Sequence, residues 1–392
     1  MTGTLLLLGL GMAAFVGFNI GGSTTGPAFG PAVGAGAISK VLAAALMSVF
    51  FFAGAWTIGR RVVDTLGRDL VTDASAVFSL EANVAVLFFI GGALFIGNYA
   101  GVPASTSMTA VGAIAGLGLA AGQLAWGVMG RIVTWWIVAP IVAFWISAVI
   151  GRYFYARINR LVALNQSEGP LFEVDRSGLL PRPRPGPNTS RRELFGTAVV
   201  VLIGCVMSFA SGTSNIANAV APLVGSGSLE MDTAILIGGG AVAVGAFTIA
   251  RRTLDTLGND LTDLPLTAAI VVATVSATLV TLLSAIGIPA SFVIIATMSI
   301  VGLGWGRATR TTTVRGGVSG DDPAVSVGAL AGDEAGEELP DIGEEDPGEI
   351  PSASELFDPS TTARVVLMQN VVPVIATVGA YTTFRFLPLF GF

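Results

Sequence analysis

The stretch Gly22-Ser-Thr-Thr-Gly-Pro-Ala28 returns 191 residues later as Thr213-Ser-Asn-Ile-Ala-Asn-Ala219. At the same offset Arg60-Arg61-Val-Val-Asp64-Thr-Leu-Gly67-Arg-Asp69-Leu returns as Arg251-Arg252-Thr-Leu-Asp255-Thr-Leu-Gly258-Asn-Asp260-Leu, and Gly101-Val-Pro103-Ala-Ser105 returns, 186 residues on, as Gly287-Ile-Pro289-Ala-Ser291. One template has been used twice. Two such copies, each with polar, Gly-broken hydrophobic segments in matching places, are the sequence signature of a secondary transporter.

Composition fixes the surrounding solvent. The chain is 53% hydrophobic and only 12% charged, about half the charge of a soluble domain. Apolar stretches near the length of a bilayer crossing recur along it, clearest at 5–18, 41–57, 82–95, 133–150, 194–208, 233–249, 266–285 and 365–381. The reading is an all-α polytopic membrane protein. Residues 1–22 lack a basic n-region and lead straight into the repeated motif, so they read as the first helix rather than a signal peptide.

The charge pattern separates the embedded parts from the rest. Residues 321–358 hold 13 of the 26 acidic residues and no Lys or Arg. Rich in Gly, Pro and Ser, that segment has little to bury and is expected to be a disordered acidic loop, residues 311–358. Residues 152–192 carry eight Arg and a Pro-Arg-Pro-Arg-Pro run, which reads as an extended linker placed in the cytoplasm by the positive-inside rule. The expected organisation is a first transmembrane repeat over 1–155, a linker over 156–192 and a second repeat over 193–392. With about five segments per repeat, an odd number, the second copy is inverted. Broken or re-entrant pieces are expected at the midplane, at 24–37 and 103–121 and at their counterparts 215–224 and 289–306.

Several chemistries are excluded early. A single Cys and no His remove disulfides within the chain, cysteine-based metal sites and the usual proton relay. No Walker motif is present, and no nucleophile–base pair suggests an enzyme. In the Arg-Arg-x-x-Asp repeat, Arg and Asp three or four residues apart are expected to pair along one helix face, with the Gly ending it.

Two kinds of segment remain for the function. One is the polar stretch after each opening helix, with Ser23, Thr24 and Thr25 in the first copy and Ser214, Asn215 and Asn218 in the second. A polar cluster broken by Gly and Pro is tolerated in lipid only inside protein or beside water. Freed N–H groups at a half-helix start, joined by hydroxyls and amides, cradle an anion, while Thr24, Asn215 and Asn218 can offer oxygens to a sodium ion. The other segment is Pro103-Ala-Ser105-Thr106-Ser107, three hydroxyls in the first turn of a helix, with Ser291 in its second copy.

These two segments resemble the signatures of the inorganic phosphate transporter family of sodium- or proton-coupled phosphate symporters. That family reads Gly-Ala-Asn-Asp-Val-Ala-Asn-Ala in each half, followed later by Gly-Leu-Pro-Val-Ser-Thr-Thr-His. The resemblance covers nearly the whole chain outside the linker and the acidic loop. It implies phosphate transport across the cell membrane by alternating access, sodium as co-substrate, no cofactor, and a homodimer in the bilayer. The departures are as informative. The family's Asn-Asp is Ser23-Thr24 in one half and Ser214-Asn215 in the other, so both carboxylates are gone. The later Asn is Pro27 in the first half and Asn218 in the second, the His is Met108 and Ile294, and the second hydroxyl run has shrunk to Ser291-Phe-Val-Ile. Those losses weaken cation coupling and open the cavity to another oxyanion such as sulfate. A non-transporting sensor on the same fold is the other alternative.

Overall fold

In the computed structural model of the chain, residues 2–34, 38–99, 105–162, 172–175, 182–186, 191–248, 266–308 and 359–387 are described. The second Arg-Arg motif, the Gly101–Ala104 part of the hydroxyl motif and the acidic segment lie outside them. In the first half run α1 (Thr2–Gly34), α2 (Lys40–Asp69), a single turn α3 (Ala74–Val77), α4 (Leu80–Tyr99), α5 (Thr106–Ala120), α6 (Trp126–Val149) and its extension α7 (Tyr155–Val162). The second half contains α8 (Arg191–Gly225), α9 (Met231–Thr248), α10 (Leu266–Ala285), α11 (Phe292–Ala308) and α12 (Pro359–Phe386). Between the halves, in the stretch read as an extended linker, β1 (Phe172–Asp175) and β2 (Arg182–Pro185) pair as a short antiparallel ribbon. Seven helices among the described residues are long and apolar enough to cross a membrane. The chain is a multi-pass membrane protein.

α5 and α11 are the exceptions in length. At 15 and 17 residues they rise about 22 and 25 Å, short of the roughly 30 Å hydrocarbon core. Both begin with a serine whose hydroxyl caps the first turn: Ser105 accepts from the Met108 N–H and Ser291 from the Ile294 N–H. These two short helices occupy the stretches, 103–121 and 289–306, where broken or re-entrant pieces are expected.

The other two expected breaks do not occur. α1 continues through Pro27 to Gly34, and α8 continues through Pro222 to Gly225. Hydroxyls satisfy the helix internally: Ser23 and Thr24 donate to the Ile20 carbonyl, Thr25 to Gly21 and Thr213 to Ala210. Such back-bonding consumes the polarity that, read from sequence, suggested an unwound segment.

Glycines set how the halves interlock. In α1 and α9, Gly17 faces Gly238 and Ala241, Gly21 faces Val242 and Ala246, and Gly245 faces Phe18, with backbone against backbone. The register increases along both helices, so they run parallel. α2 and α8 do the same, through Gly54 against Phe209, Gly59 against Gly212 and Gly67 against Ala221. Two later pairs, α6 with α11 (Phe144 to Gly302, Ala148 to Gly306) and α5 with α12 (Gly112 to Pro373, Gly116 to Thr377), repeat the arrangement. Small residues let helices approach closely where lipid offers no hydrophobic drive. Four helices of each half are therefore paired with four of the other, in two mirrored sets, α1–α9 with α2–α8 and α6–α11 with α5–α12.

The helix directions follow from these pairings. α8 and α9 are joined by a tight turn through Gly227 at φ 70°, so they are antiparallel. Because α1 runs with α9 and α2 with α8, the equivalent opening helices α1 and α8 point in opposite directions, as in an inverted repeat.

The Arg-Arg motif departs from the expected local pairing. Arg68, not Arg60 or Arg61, pairs with Asp64, at 2.9 Å. Arg60 reaches Asp232 at the start of α9, at 2.6 Å, and lies over the Trp56 ring. Arg61 donates to the Ala285 carbonyl at the end of α10. Gly67 does not end the helix, which runs on to Asp69 through a π turn, with Gly67 set against Ala221. The motif clamps one half onto the other.

Candidate anion-binding site

At the α10–α11 turn the two halves meet through a cluster of polar atoms. Gly287 takes φ 76°, a conformation that costs other residues a Cβ clash, and this turns the chain so that Ala290 and Ser291 face α5 and α8. The Ala290 carbonyl accepts from Ser107 and from Ser214, both at 3.0 Å, and the Ala290 N–H donates back to the Ser214 hydroxyl at 3.1 Å. Ser107 and Ser214 share a further hydrogen bond of 3.2 Å. Trp136 supports the turn from outside, donating its indole N–H to the Pro289 carbonyl. It is thus a brace for the turn.

Asn215 is the hub of this network. Its Oδ1 accepts from Thr106 at 2.8 Å and from the Asn218 amide at 3.4 Å, with the one hydrogen of Ser107, whose Oγ is 3.3 Å away, shared between it and the Ala290 carbonyl, while its Nδ2 donates to Ser211 at 2.9 Å. Two donors fill the two lone pairs of that oxygen. In this conformation it is closed to a cation. The Asn218 Oδ1, by contrast, is buried with no hydrogen-bond partner.

Beside the network lies a cavity of about 40 Å³, room for roughly three waters. The first half contributes Ser23, Thr24, Pro27 and Ala28 from α1 with Ser105 and Thr106 at the start of α5. Met207, Ser211 and Asn215 of α8 and Ser291, Phe292 and Val293 of α11 complete it. Of the residues expected from sequence, Ser23, Thr24, Ser105, Thr106, Asn215 and Ser291 line the cavity. Ser107 and Ser214 are fully buried in the knot behind it, and Asn218 lies one turn beyond Asn215. Thr25 is also fully buried, its hydroxyl spent on the Gly21 carbonyl, so it is not a lining residue. Ser211 is the polar residue that the sequence reading missed. Its spacing of one helical turn from Asn215 was the available signal. A separate void of about 10 Å³ near Trp136 is apolar and holds no polar cluster.

The cavity walls differ in hydrogen-bond character. Ser105, Ser211 and Ser291 each accept from a neighbour, from the Met108 N–H, the Asn215 amide and the Ile294 N–H. Each therefore has its own hydrogen free to turn inwards. The two short helices α5 and α11 also start here, bringing the positive ends of their dipoles and the open N–H groups of their first turns. On the opposite wall Ser23 and Thr24 have given their hydrogens to the Ile20 carbonyl, at 3.1 and 2.7 Å. What they turn towards the cavity is lone pairs. One wall suits an anion and the other a cation, with no charged side chain among the described lining residues.

Comparison with known proteins agrees with this architecture. The profile of the phosphate transporter family matches residues 20–321. Sulfate permease CysP of Bacillus subtilis is 30% identical over 297 residues, covering 75% of each chain. A permease of Chlamydia trachomatis named for phosphate is 25% identical, covering 77% of this chain and 89% of its own. Among solved structures, a sodium-dependent phosphate transporter superposes with a TM-score of 0.67 over 98% of this chain and 99% of its own, at 19% identity, a likeness of fold.

Proposed function

This chain belongs to the phosphate transporter family, and we propose that it is a secondary carrier moving a tetrahedral inorganic oxyanion such as phosphate across the cell membrane. The observation that carries the proposal is the cavity shared by both halves. Its donor wall is assembled from the starts of α5 and α11 and from α8, so either half alone provides an incomplete site. A site divided between two counter-oriented halves opens to one side when they rock one way and to the other when they rock back, which is the geometry of alternating access.

Sodium is the proposed partner ion. The lone pairs of Ser23 and Thr24, and the anion itself once bound, are neutral-to-negative ligands within one small cavity, suited to a hard monovalent cation. Thr24 keeps the cation role expected of it, whereas Asn215 becomes the scaffold for the anion wall. Asn218 offers a second, deeper oxygen. Proton coupling through these residues has no support, since none of them titrates near neutral pH.

Radiolabelled phosphate uptake by the purified chain in liposomes, with and without an inward sodium gradient, tests both parts. Accumulation driven by sodium is expected. Accumulation indifferent to sodium removes the coupling proposal, and no uptake by protein that melts cooperatively removes the carrier.

A further inference from the structure

The cavity contains no acidic side chain among its described lining residues, and its unused hydrogens belong to donors. From this we infer that the site takes sulfate, a fully deprotonated tetrahedral dianion, at least as readily as phosphate. The inference rests on the carrier reading and specifies its substrate.

Phosphate and sulfate have the same shape and differ in their protons. Near neutral pH phosphate carries one or two P–OH hydrogens, and each needs an acceptor once water has been stripped away. A carboxylate in the site supplies such an acceptor and also repels sulfate, which has no hydrogen to offer it. That combination of attraction and repulsion is how a site separates two isosteric anions. Here the position that faces the cavity from α1 is Thr24, and the one that faces it from α8 is Asn215. Neither carries a charge. The two lone pairs of the Asn215 Oδ1 are already taken by Thr106 and Asn218. The acceptors left on the cavity are all neutral hydroxyl oxygens, at Ser23, Thr24 and Thr106 and in the second lone pairs of Ser105, Ser211 and Ser291, and a sodium ion held by Ser23 and Thr24 would take part of that set.

Sulfate fits what remains. Its oxygens accept from the free hydrogens of Ser105, Ser211 and Ser291 and from the first-turn N–H groups of α5, and no group on the described lining is left facing it with a negative charge. Phosphate is tolerated through a weak hydroxyl acceptor but gains no discriminating contact. The 30% identity to a protein named as a sulfate permease is consistent with this chemistry.

Competition in liposomes holding the full chain tests the inference. Labelled sulfate is expected to accumulate, and unlabelled sulfate to halve uptake of trace labelled phosphate at a concentration no higher than about the phosphate KM. Thr24→Asp puts a carboxylate on the cavity wall and is expected to reduce the ratio of sulfate to phosphate uptake by about tenfold or more. Thr24→Asn, neutral and of similar size, is expected to leave that ratio within about threefold of the wild type. Phosphate uptake unaffected by a hundredfold excess of sulfate overturns the inference while leaving the carrier in place. Uptake of neither anion by folded protein overturns the carrier reading, and the inference falls with it. The wild-type competition alone decides the matter if the Asp variant does not fold.

Discussion

Gly212→Ala is the substitution that most directly couples helix packing to the site. Gly212 lies in α8, against the Phe51 carbonyl of α2, and only two residues before Ser214. A Cβ there would stand about 1 Å inside the 3.0 Å that real Cβ atoms keep, and the obstacle is backbone rather than a movable side chain. α8 must retreat from α2 by about that distance. The hydrogen bonds of Ser214 and Asn215 to the other elements span 2.8 to 3.3 Å, so a 1 Å displacement puts several beyond bonding range. Overpacking costs about 1–3 kcal/mol, and each lost neutral hydrogen bond about 1 kcal/mol more. The expected total is about 3–5 kcal/mol of stability, with uptake reduced by about a hundredfold, the usual penalty for misplacing binding groups by 1 Å. Gly240→Ala is the control. A Cβ at Gly240, in α9, meets nothing within 4 Å, so the same change there is expected to be neutral or to stabilise by up to about 1 kcal/mol. Thermal melting in detergent and initial uptake rates in liposomes would be measured on both. Wild-type melting and uptake for Gly212→Ala would refute the claim that α2–α8 contact positions the anion wall.

Thr106→Val keeps the side-chain shape and removes the 2.8 Å bond to Asn215. With about 1 kcal/mol lost, the uptake KM is expected to rise roughly fivefold with melting little changed; an unaltered KM would remove Thr106 from the site. Arg60 and Asp232 form an ion pair whose side chains are 33% and 59% exposed, so Asp232→Asn is expected to cost less than about 1 kcal/mol, and a loss above about 2 kcal/mol by thermal melting would show the clamp to be stronger than its exposure allows. Asp73, outside the spanning helices, caps α3: the Ser75 hydroxyl and the Ala76 N–H hold its carboxyl below the ordinary 3.8. A lowered folded value means the charged cap contributes fully above the ordinary value and is lost as pH falls through the lowered one. The melting advantage of the wild type over Asp73→Asn should therefore shrink on acidification below about pH 4; an advantage that grows with acidification would contradict the sign.

Much of the architecture was legible because periodicity and repetition are local properties of the chain. The all-helical membrane architecture and the short helices beginning near Ser105 and Ser291 could be read from spacing and composition. Other features depended on partners far away in sequence. The polarity around Ser23-Thr24-Thr25 signalled a broken helix, yet the hydroxyls turned inwards to their own carbonyls and α1 continued. The charges of Arg60 and Arg61 suggested pairing along their own helix, and the groups they reach, Asp232 and the Ala285 carbonyl, belong to the other half. Ser211 and Trp136 gave no motif at all. Their roles come from a turn of α8 and from the α10–α11 corner, which only the fold brings together.

The unequal wear of the two repeats follows from the same interlocking. The hydroxyl run of the first half meets the amide cluster of the second: Thr106 donates to Asn215. Under the repeat offsets, Phe292 takes the place of Thr106 and Thr24 the place of Asn215. The second copy of that contact would therefore join Phe292 to Thr24, and both residues line the cavity. Neither retains the group the other would need, since Phe has no donor and Thr24 has turned its hydrogen away to Ile20. Loss on one side removes the reason to keep the partner on the other, because a buried polar group without its mate costs about 1–3 kcal/mol. The amides missing from the first half and the hydroxyls missing from the second are thus one change seen at both ends of a single contact. Where the intact contact closes the interface with hydrogen bonds, the dismantled one leaves space with lone pairs on one side and free donors on the other.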